Sequence, residues 1–143
     1  MNSPEQTIRL LKITDADMQF LYDLLKKRDP RANISHKKMP TFEEHRKFVI
    51  SKPYTAWYVI MVNENRAGSI YLSKNDEIGI FLIKDFFGKN VGAEAMKQLM
   101  KLHVRKRYFA NVAPENIVSQ KFFQKNKFTG LQYTYELIVS NED

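Results

Sequence analysis

Apolar and polar positions along the chain keep two periods that alternate in a fixed order. From Thr7 to Ile13 the period is two: Ile8, Leu10 and Lys12 share one face and Arg9 and Leu11 the other, which reads as a strand. Thr14-Asp15 then offers an N-cap, and Met18, Leu21, Tyr22 and Leu25 fall at the spacing of a core-facing helical stripe, predicting a helix to about Arg28. Asp29-Pro30 closes it, and Arg31 to Pro40 reads as a basic, irregular loop. Thr41 with Glu44 three residues on is a capping box, which predicts a second helix to about Ser51 with Phe42, His45 and Val49 on one face. Thr55 to Val62 is almost continuously apolar and is expected to be buried on both faces; turns at Asn63–Arg66 and Ser73–Asp76 lead into strands Ala67–Leu72 and Glu77–Ile83.

A helix beginning near Gly88 or Val91 carries Val91, Ala95, Leu99 and Leu102 on one side and ends in the basic run Lys101 to Arg107, which suits a helix C-terminus. Tyr108–Val112 is a short strand, and a helix from Pro114 reaches a left-handed cap at Asn126. In the last segment Leu131, Tyr133, Tyr135, Leu137 and Val139 alternate with Gln132, Thr134 and Glu136, predicting a final strand with one face on the core and one in water.

Composition narrows the class. The 143 residues, 43% hydrophobic with only 5 Gly and 5 Pro, fit one folded domain spanning residues 1–143, without repeats, linkers or low complexity. Met1 to Gln6 is polar, and no run approaches the roughly 18 apolar residues of a membrane helix, so a soluble, cytoplasmic protein with no membrane partner is expected. With no cysteine, and with His36, His45 and His103 outside metal-ligand spacing, neither a thiol nucleophile nor a metal site is expected. His45, on the apolar side of its helix, reads as a half-buried, hydrogen-bonded histidine rather than a catalyst. The excess of 23 basic over 16 acidic residues, net +7, favours an anionic partner. A nucleic acid is the weaker candidate, because no exposed aromatic residues are interleaved with the basic run.

Candidate chemistry lies where the apolar run Ile78–Ile83 feeds the small-residue turn Phe87-Gly-Lys-Asn-Val-Gly-Ala93 and a helix. First-turn amides have no partner inside a helix and sit at the positive end of its dipole, so they can hold a phosphate or pyrophosphate. Gly88 and Gly92 let a ligand come close, and Lys89 adds a cation. The turn resembles the pyrophosphate loop of the GNAT superfamily of N-acyltransferases, Gln/Arg-x-x-Gly-x-Gly/Ala, with Phe87, Asn90 and Gly92 at the fixed positions; only Gly92 matches outright. A second motif of that family, Asn-x-x-Ala/Ser-x-x-x-Tyr-x-x-x-Gly-Phe, is met by Asn116, Ser119, Asn126 or Lys127, and Phe128, with Phe123 in place of the tyrosine. The order of elements extends the resemblance over nearly the whole chain.

The resemblance implies a mixed, mostly antiparallel α/β (α+β) sheet of six to seven strands with about four helices, splayed between the strand ending at Ile83 and that at Tyr108. Acetyl-CoA would lie in this V-shaped slot as co-substrate. Main-chain groups of Phe81 and Ile83, in the stretch Phe81-Leu82-Ile83, would pair with the pantetheine. The amides of Gly88, Lys89, Asn90, Val91, Gly92 and Ala93 would take the pyrophosphate, and Asn116, Ser119, Lys121 and Phe122 the rest of CoA. Gly79 is expected to mark a bulge that frees an amide for the thioester carbonyl. The activity implied is acyl transfer by direct attack of a primary amine, which needs a base, with Glu77 and His36 competing for the role. Phe123 has no proton for the leaving thiolate, which leaves amides, water, Tyr133 or Tyr135. Ser35–Phe48 with Pro53-Tyr54-x-x-Trp57-Tyr58 is similar to relatives that acetylate nucleotide-linked amino sugars: Arg31, Lys37 and Lys38 would meet a diphosphate and Tyr54 or Trp57 a ring. A protein or peptide acetyltransferase and a non-catalytic acyl-CoA sensor stay open as alternatives, as does a homodimer.

Overall fold

The computed structural model describes residues 6–27 and 39–140. Strand β1 (Ile8–Lys12) pairs antiparallel with β2 (Ala56–Val62), β2 with β3 (Asn65–Leu72), and β3 with β4 (Ile78–Leu82), in the order β1-β2-β3-β4. Between β1 and β2 run helices α1 (Met18–Lys27) and α2 (Phe42–Ile50), and after β4 come α3 (Val91–Leu102) and α4 (Ile117–Lys125). None of the described helices is long and apolar enough to cross a membrane.

Local chemistry explains the boundaries. Thr41 accepts from the Glu44 N–H at 3.1 Å while the Glu44 carboxylate accepts from the Thr41 N–H at 2.8 Å, the capping box read from the sequence. The first helix starts differently, through a 3-10 turn Asp15–Asp17 in which Asp17 accepts from the Thr14 N–H at 2.9 Å and receives the Arg66 guanidinium at 2.9 Å. On this helix Leu24 is buried, and Leu25, expected in the core-facing stripe, is half-buried.

Alternation along the strands divides the sheet into two faces. Tyr58, Ile60, Ile70, Leu72 and Ile78 point to α3 and α4 and form the main core with Val91, Ala95, Met96, Leu99 and Phe123. The other face carries Trp57, which joins Met18, Leu21 and Val49 beneath α1 and α2. His45 is buried there, 5.7 Å from the Tyr22 ring, as its place on the apolar side of the helix requires.

Four expectations need correction, the first at the end of α4, where Asn126 has φ −94° and the left-handed residue is Lys127 at φ 76°. Gly79 lies in regular register opposite Tyr71, and the irregularity falls instead in the β2/β3 pair between Ile60 and Met61. A Cβ at Gly79 would lie 2.1 Å from the Tyr71 ring, so the glycine makes room for an aromatic side chain. Leu102 is exposed, because α3 ends there and the chain turns away. The sheet has four strands among the described residues, not six or seven. Tyr108–Val112 contributes a single parallel bridge, Phe109 to Glu77, and Leu131–Val139 forms no strand among the described residues.

At the C-terminus of α3 the buried Tyr58 hydroxyl lies 2.7 Å from His103 Nε2. Burial, with Arg105 and Lys12 nearby, holds the His103 pKa below its usual value, and burial raises that of Tyr58. The native state thus gives up the imidazole proton more readily than the unfolded chain does. This contribution to stability is complete above the ordinary histidine value of about 6.5 and is lost as pH falls through that value towards the depressed one. Thermal melts between pH 7.5 and 5 should show the melting temperature falling on acidification, with a shallower fall in His103→Gln.

Candidate active site

The N-terminus of α3 is set by backbone angles. Gly88 has φ 73°, and Asn90, the residue before the helix, is left-handed at φ 62° without capping through its side chain. The first helical bond runs from the Glu94 N–H to the Asn90 carbonyl at 3.2 Å, and no described residue accepts from the N–H groups of Gly88 through Ala93. Lys89 reaches over the Phe86 ring at 5.9 Å. Gly92 serves helix packing: a Cβ there would lie 3.0 Å from the Phe122 ring of α4, so α4 sits against α3 beside the free amides. Asn116 accepts from the Ser119 N–H at 3.1 Å as the N-cap of α4. Ser119 is half-buried and Lys121 exposed on the first turns of that helix.

β4 and the segment that follows α3 meet at one point. The Ile78 N–H donates to the Phe109 carbonyl at 2.7 Å, and the Phe109 N–H to the Asp76 carbonyl at 2.9 Å; beyond this bridge the two segments no longer pair, which opens a slot along β4. The Ile83 N–H is bonded to the Ala67 carbonyl at 2.8 Å, so Ile83 and, in the same phase, Phe81 direct their main-chain groups at β3. The groups facing the slot belong to Ile80 and Leu82. Of the stretch expected to pair with pantetheine, Leu82 therefore has the required orientation, and Phe81 and Ile83 do not.

Glu77 stands at the apex of the slot. One carboxylate oxygen accepts from the Ser73 hydroxyl at 2.9 Å, the other from the Asn111 side-chain amide, and the Ser73 hydroxyl accepts from the Glu77 N–H at 3.0 Å. Each carboxylate oxygen keeps a further lone pair for a proton or an ammonium group. Asn111 is the site residue that sequence reasoning passed over. Its signal is an amide in an apolar run, on the same side as Phe109, the residue that forms the bridge.

Glu77, Gly79 and Phe81 lie on the face of the sheet away from α3, and there an aromatic wall adjoins them. Tyr54 stacks on Tyr71 with ring centroids 3.8 Å apart and planes 3° apart; Trp57 meets Tyr54 edge-on at 4.8 Å, and Phe81 lies 6.4 Å from Tyr71. All four side chains are half-buried, and Trp57 Nε1 is buried with no hydrogen-bond partner among the described residues. His36, Arg31, Lys37 and Lys38 lie outside the described residues. Phe123 is buried between Phe122 and Phe128, each 5.1 Å away, and Tyr133 and Tyr135 are 89% and 91% exposed, far too open to serve as acids in a packed site. Arg105 pairs with Asp76 at 2.9 Å and Arg107 covers the Phe109 ring at 4.8 Å, so part of the basic run is engaged in the fold.

Comparison with known proteins agrees with this geometry. A domain from Methanocaldococcus jannaschii superimposes with a TM-score of 0.77 at 23% identity, over 92% of this chain and 94% of that one. Spermidine N-acetyltransferase from Vibrio cholerae, solved with CoA and spermine, gives 0.76 at 16% identity over 94% and 88%. The Salmonella typhimurium acetyltransferase that modifies the N-terminal serine of ribosomal protein L7/L12 gives 0.68 at 22% over 86% and 81%. A search of curated protein sequences returns no match. Residues 7–129 match the acetyltransferase (GNAT) domain, and this chain, with its free helix-terminal amides beside a splayed sheet, belongs to that family of acetyl-CoA-dependent N-acetyltransferases.

Proposed function

We propose that the chain transfers an acetyl group from acetyl-CoA to the primary amine of an amino sugar, most suitably one carried on a nucleotide. The observation that carries this reading is the aromatic wall Tyr54, Trp57 and Tyr71 on the same face as the Glu77 carboxylate. Sugar rings and nucleobases present flat or apolar faces that stack on such side chains, worth about 1–3 kcal/mol per base. A net charge of +7 attracts a nucleotide diphosphate and repels a polyamine or a lysine-rich peptide.

On this reading the amides of Gly88 to Ala93 hold the pyrophosphate of CoA, with Lys89 at the rim. The main-chain groups of Ile80 and Leu82 face the pantetheine, and Asn116, Ser119 and Phe122 sit where α4 borders it. The thioester carbonyl is directed towards Glu77, whose carboxylate takes the ammonium proton, so that the free amine forms the new C–N bond as the C–S bond breaks. Phe123 leaves the departing thiolate to water or to main-chain amides.

The test is turnover of a panel of amines with acetyl-CoA, followed by mass spectrometry. Acetylation of UDP-amino sugars above free hexosamines, spermidine and N-terminal peptides is expected. Preference for a peptide or for spermidine would overturn the acceptor, and no turnover with measurable CoA binding would favour an acyl-CoA sensor.

A further inference from the structure

The Tyr71 side chain reaches beyond its own strand. Gly79 faces it across the β3/β4 pair, and a Cβ at Gly79 would overlap the Cζ, Cε2 and hydroxyl of Tyr71. The far end of the ring therefore lies over β4, in the space that a larger residue at position 79 would fill, and its hydroxyl end reaches the strand that borders the slot. Neighbouring rings hold it there. Tyr54 stacks on it at 3.8 Å, Trp57 meets it at 6.3 Å with planes 71° apart, and Phe81 lies 6.4 Å away. By alternation Glu77 and Phe81 flank Gly79 on this face, so the Tyr71 ring fills the gap between them.

With the pantetheine facing Ile80 and Leu82 and the thioester carbonyl directed towards Glu77, the acyl carbon comes level with Gly79. An acyl chain growing from that point has three directions open to it. Straight ahead it meets the apex, closed by the Ile78 N–H on the Phe109 carbonyl at 2.7 Å and the Phe109 N–H on the Asp76 carbonyl at 2.9 Å. On the α3 side the space is filled: Ile78 is buried, Ile80, Ala110 and Val112 pack on the same core, and Gly92 of α3 backs onto Ile80. The third direction is the Glu77 face, and there the Tyr71 ring stands. Filled interiors of this kind take extra methylenes only with strain.

We propose that Tyr71, admitted over β4 by Gly79, sets the length of acyl chain that the site accepts. An acetyl group ends before the ring, whereas a butyryl group runs into it. The inference rests on the placement of acyl-CoA given above and is independent of which amine accepts. It also explains the pairing of a large residue at 71 with the smallest at 79: the ring does its work only if nothing on β4 pushes it back. Shortening Tyr71 should open the Glu77 face and admit longer acyl donors.

Calorimetry on the full chain without any amine tests this, with acetyl-CoA, butyryl-CoA and CoA as the probes. The wild-type chain is expected to bind butyryl-CoA about tenfold or more weakly than acetyl-CoA, the discrimination that added methylenes meet in a filled pocket. Tyr71→Ala is expected to bind the two alike. CoA itself should bind both proteins equally, because its pyrophosphate is held at the amides of Gly88 to Ala93. Far-UV dichroism checks the fold of the variant, and Tyr71→Val, with a strand-forming side chain, replaces it if alanine does not fold. Equal binding of acetyl-CoA and butyryl-CoA by the wild-type chain overturns the proposal with no variant needed. So does a variant that keeps the wild-type preference, or one whose affinity for CoA falls as far as its affinity for the acyl forms, since the ring then supports the whole site. Amino sugars play no part in these measurements, so an acceptor of another class would leave the length limit standing.

Discussion

Gly68→Ala is expected to lower the melting temperature by roughly 10 °C. An alanine Cβ at this position would lie 2.1 Å from the Phe81 carbonyl oxygen and 2.9 Å from the Leu82 Cα. Both are backbone atoms, so no side chain can swing aside, and relief requires β4 to move off β3 at the pair Gly68–Leu82. Overpacking of this kind costs on the order of 3 kcal/mol. Two other glycines serve as references. Gly130 has nothing within 4 Å of its would-be Cβ and no unusual backbone angle, so Gly130→Ala should leave stability intact. Gly88 has the same open space but φ 73°, and its alanine variant should lose about 1 kcal/mol through backbone strain alone. Thermal denaturation of the three variants checks the order. Because displaced β4 residues also line the slot, Gly68→Ala should lose turnover below its melting temperature, whereas Gly130→Ala should not.

Most of the architecture was legible in the sequence because it follows from local rules. The capping box at Thr41 and Glu44, the almost continuously apolar β2, and the small-residue turn that opens a helix with free amides each rest on a few neighbouring residues. What the sequence withheld depends on distant partners. Gly79 carries the composition of a bulge, and only the Tyr71 ring across the strand pair shows why it is a glycine. Phe81 and Ile83 differ from Leu82 in phase, and the phase is fixed by where Ile83 bonds on β3. Leu131 to Val139 reads as a strand, and its period says nothing about which edge takes it. Asn111 went unremarked because its importance lies in Glu77, 34 positions earlier.

Glu77→Gln is expected to reduce kcat by about 10²- to 10⁴-fold, the usual contribution of a positioned general base, with the KM for acetyl-CoA unchanged. The substitution suits the site because a side-chain amide can keep both of the existing contacts. Its oxygen can accept from Ser73, and its NH2 can donate to Asn111 once the Asn111 amide turns over to present Oδ1. The tie across the apex of the slot then survives, the melting temperature should move little, and what is removed is the capacity to take a proton. A purely structural Glu77 predicts the opposite: unchanged kcat in Glu77→Gln, with the loss appearing in Asn111→Ala, which cuts the tie but leaves the carboxylate. If Glu77 is the base, Asn111→Ala should cost less than Glu77→Gln, because the carboxylate remains and Ser73 still orients one oxygen. Steady-state kinetics on the two variants, read beside their melting curves, separates a carboxylate that takes protons from one that only joins β4 to the segment across the slot.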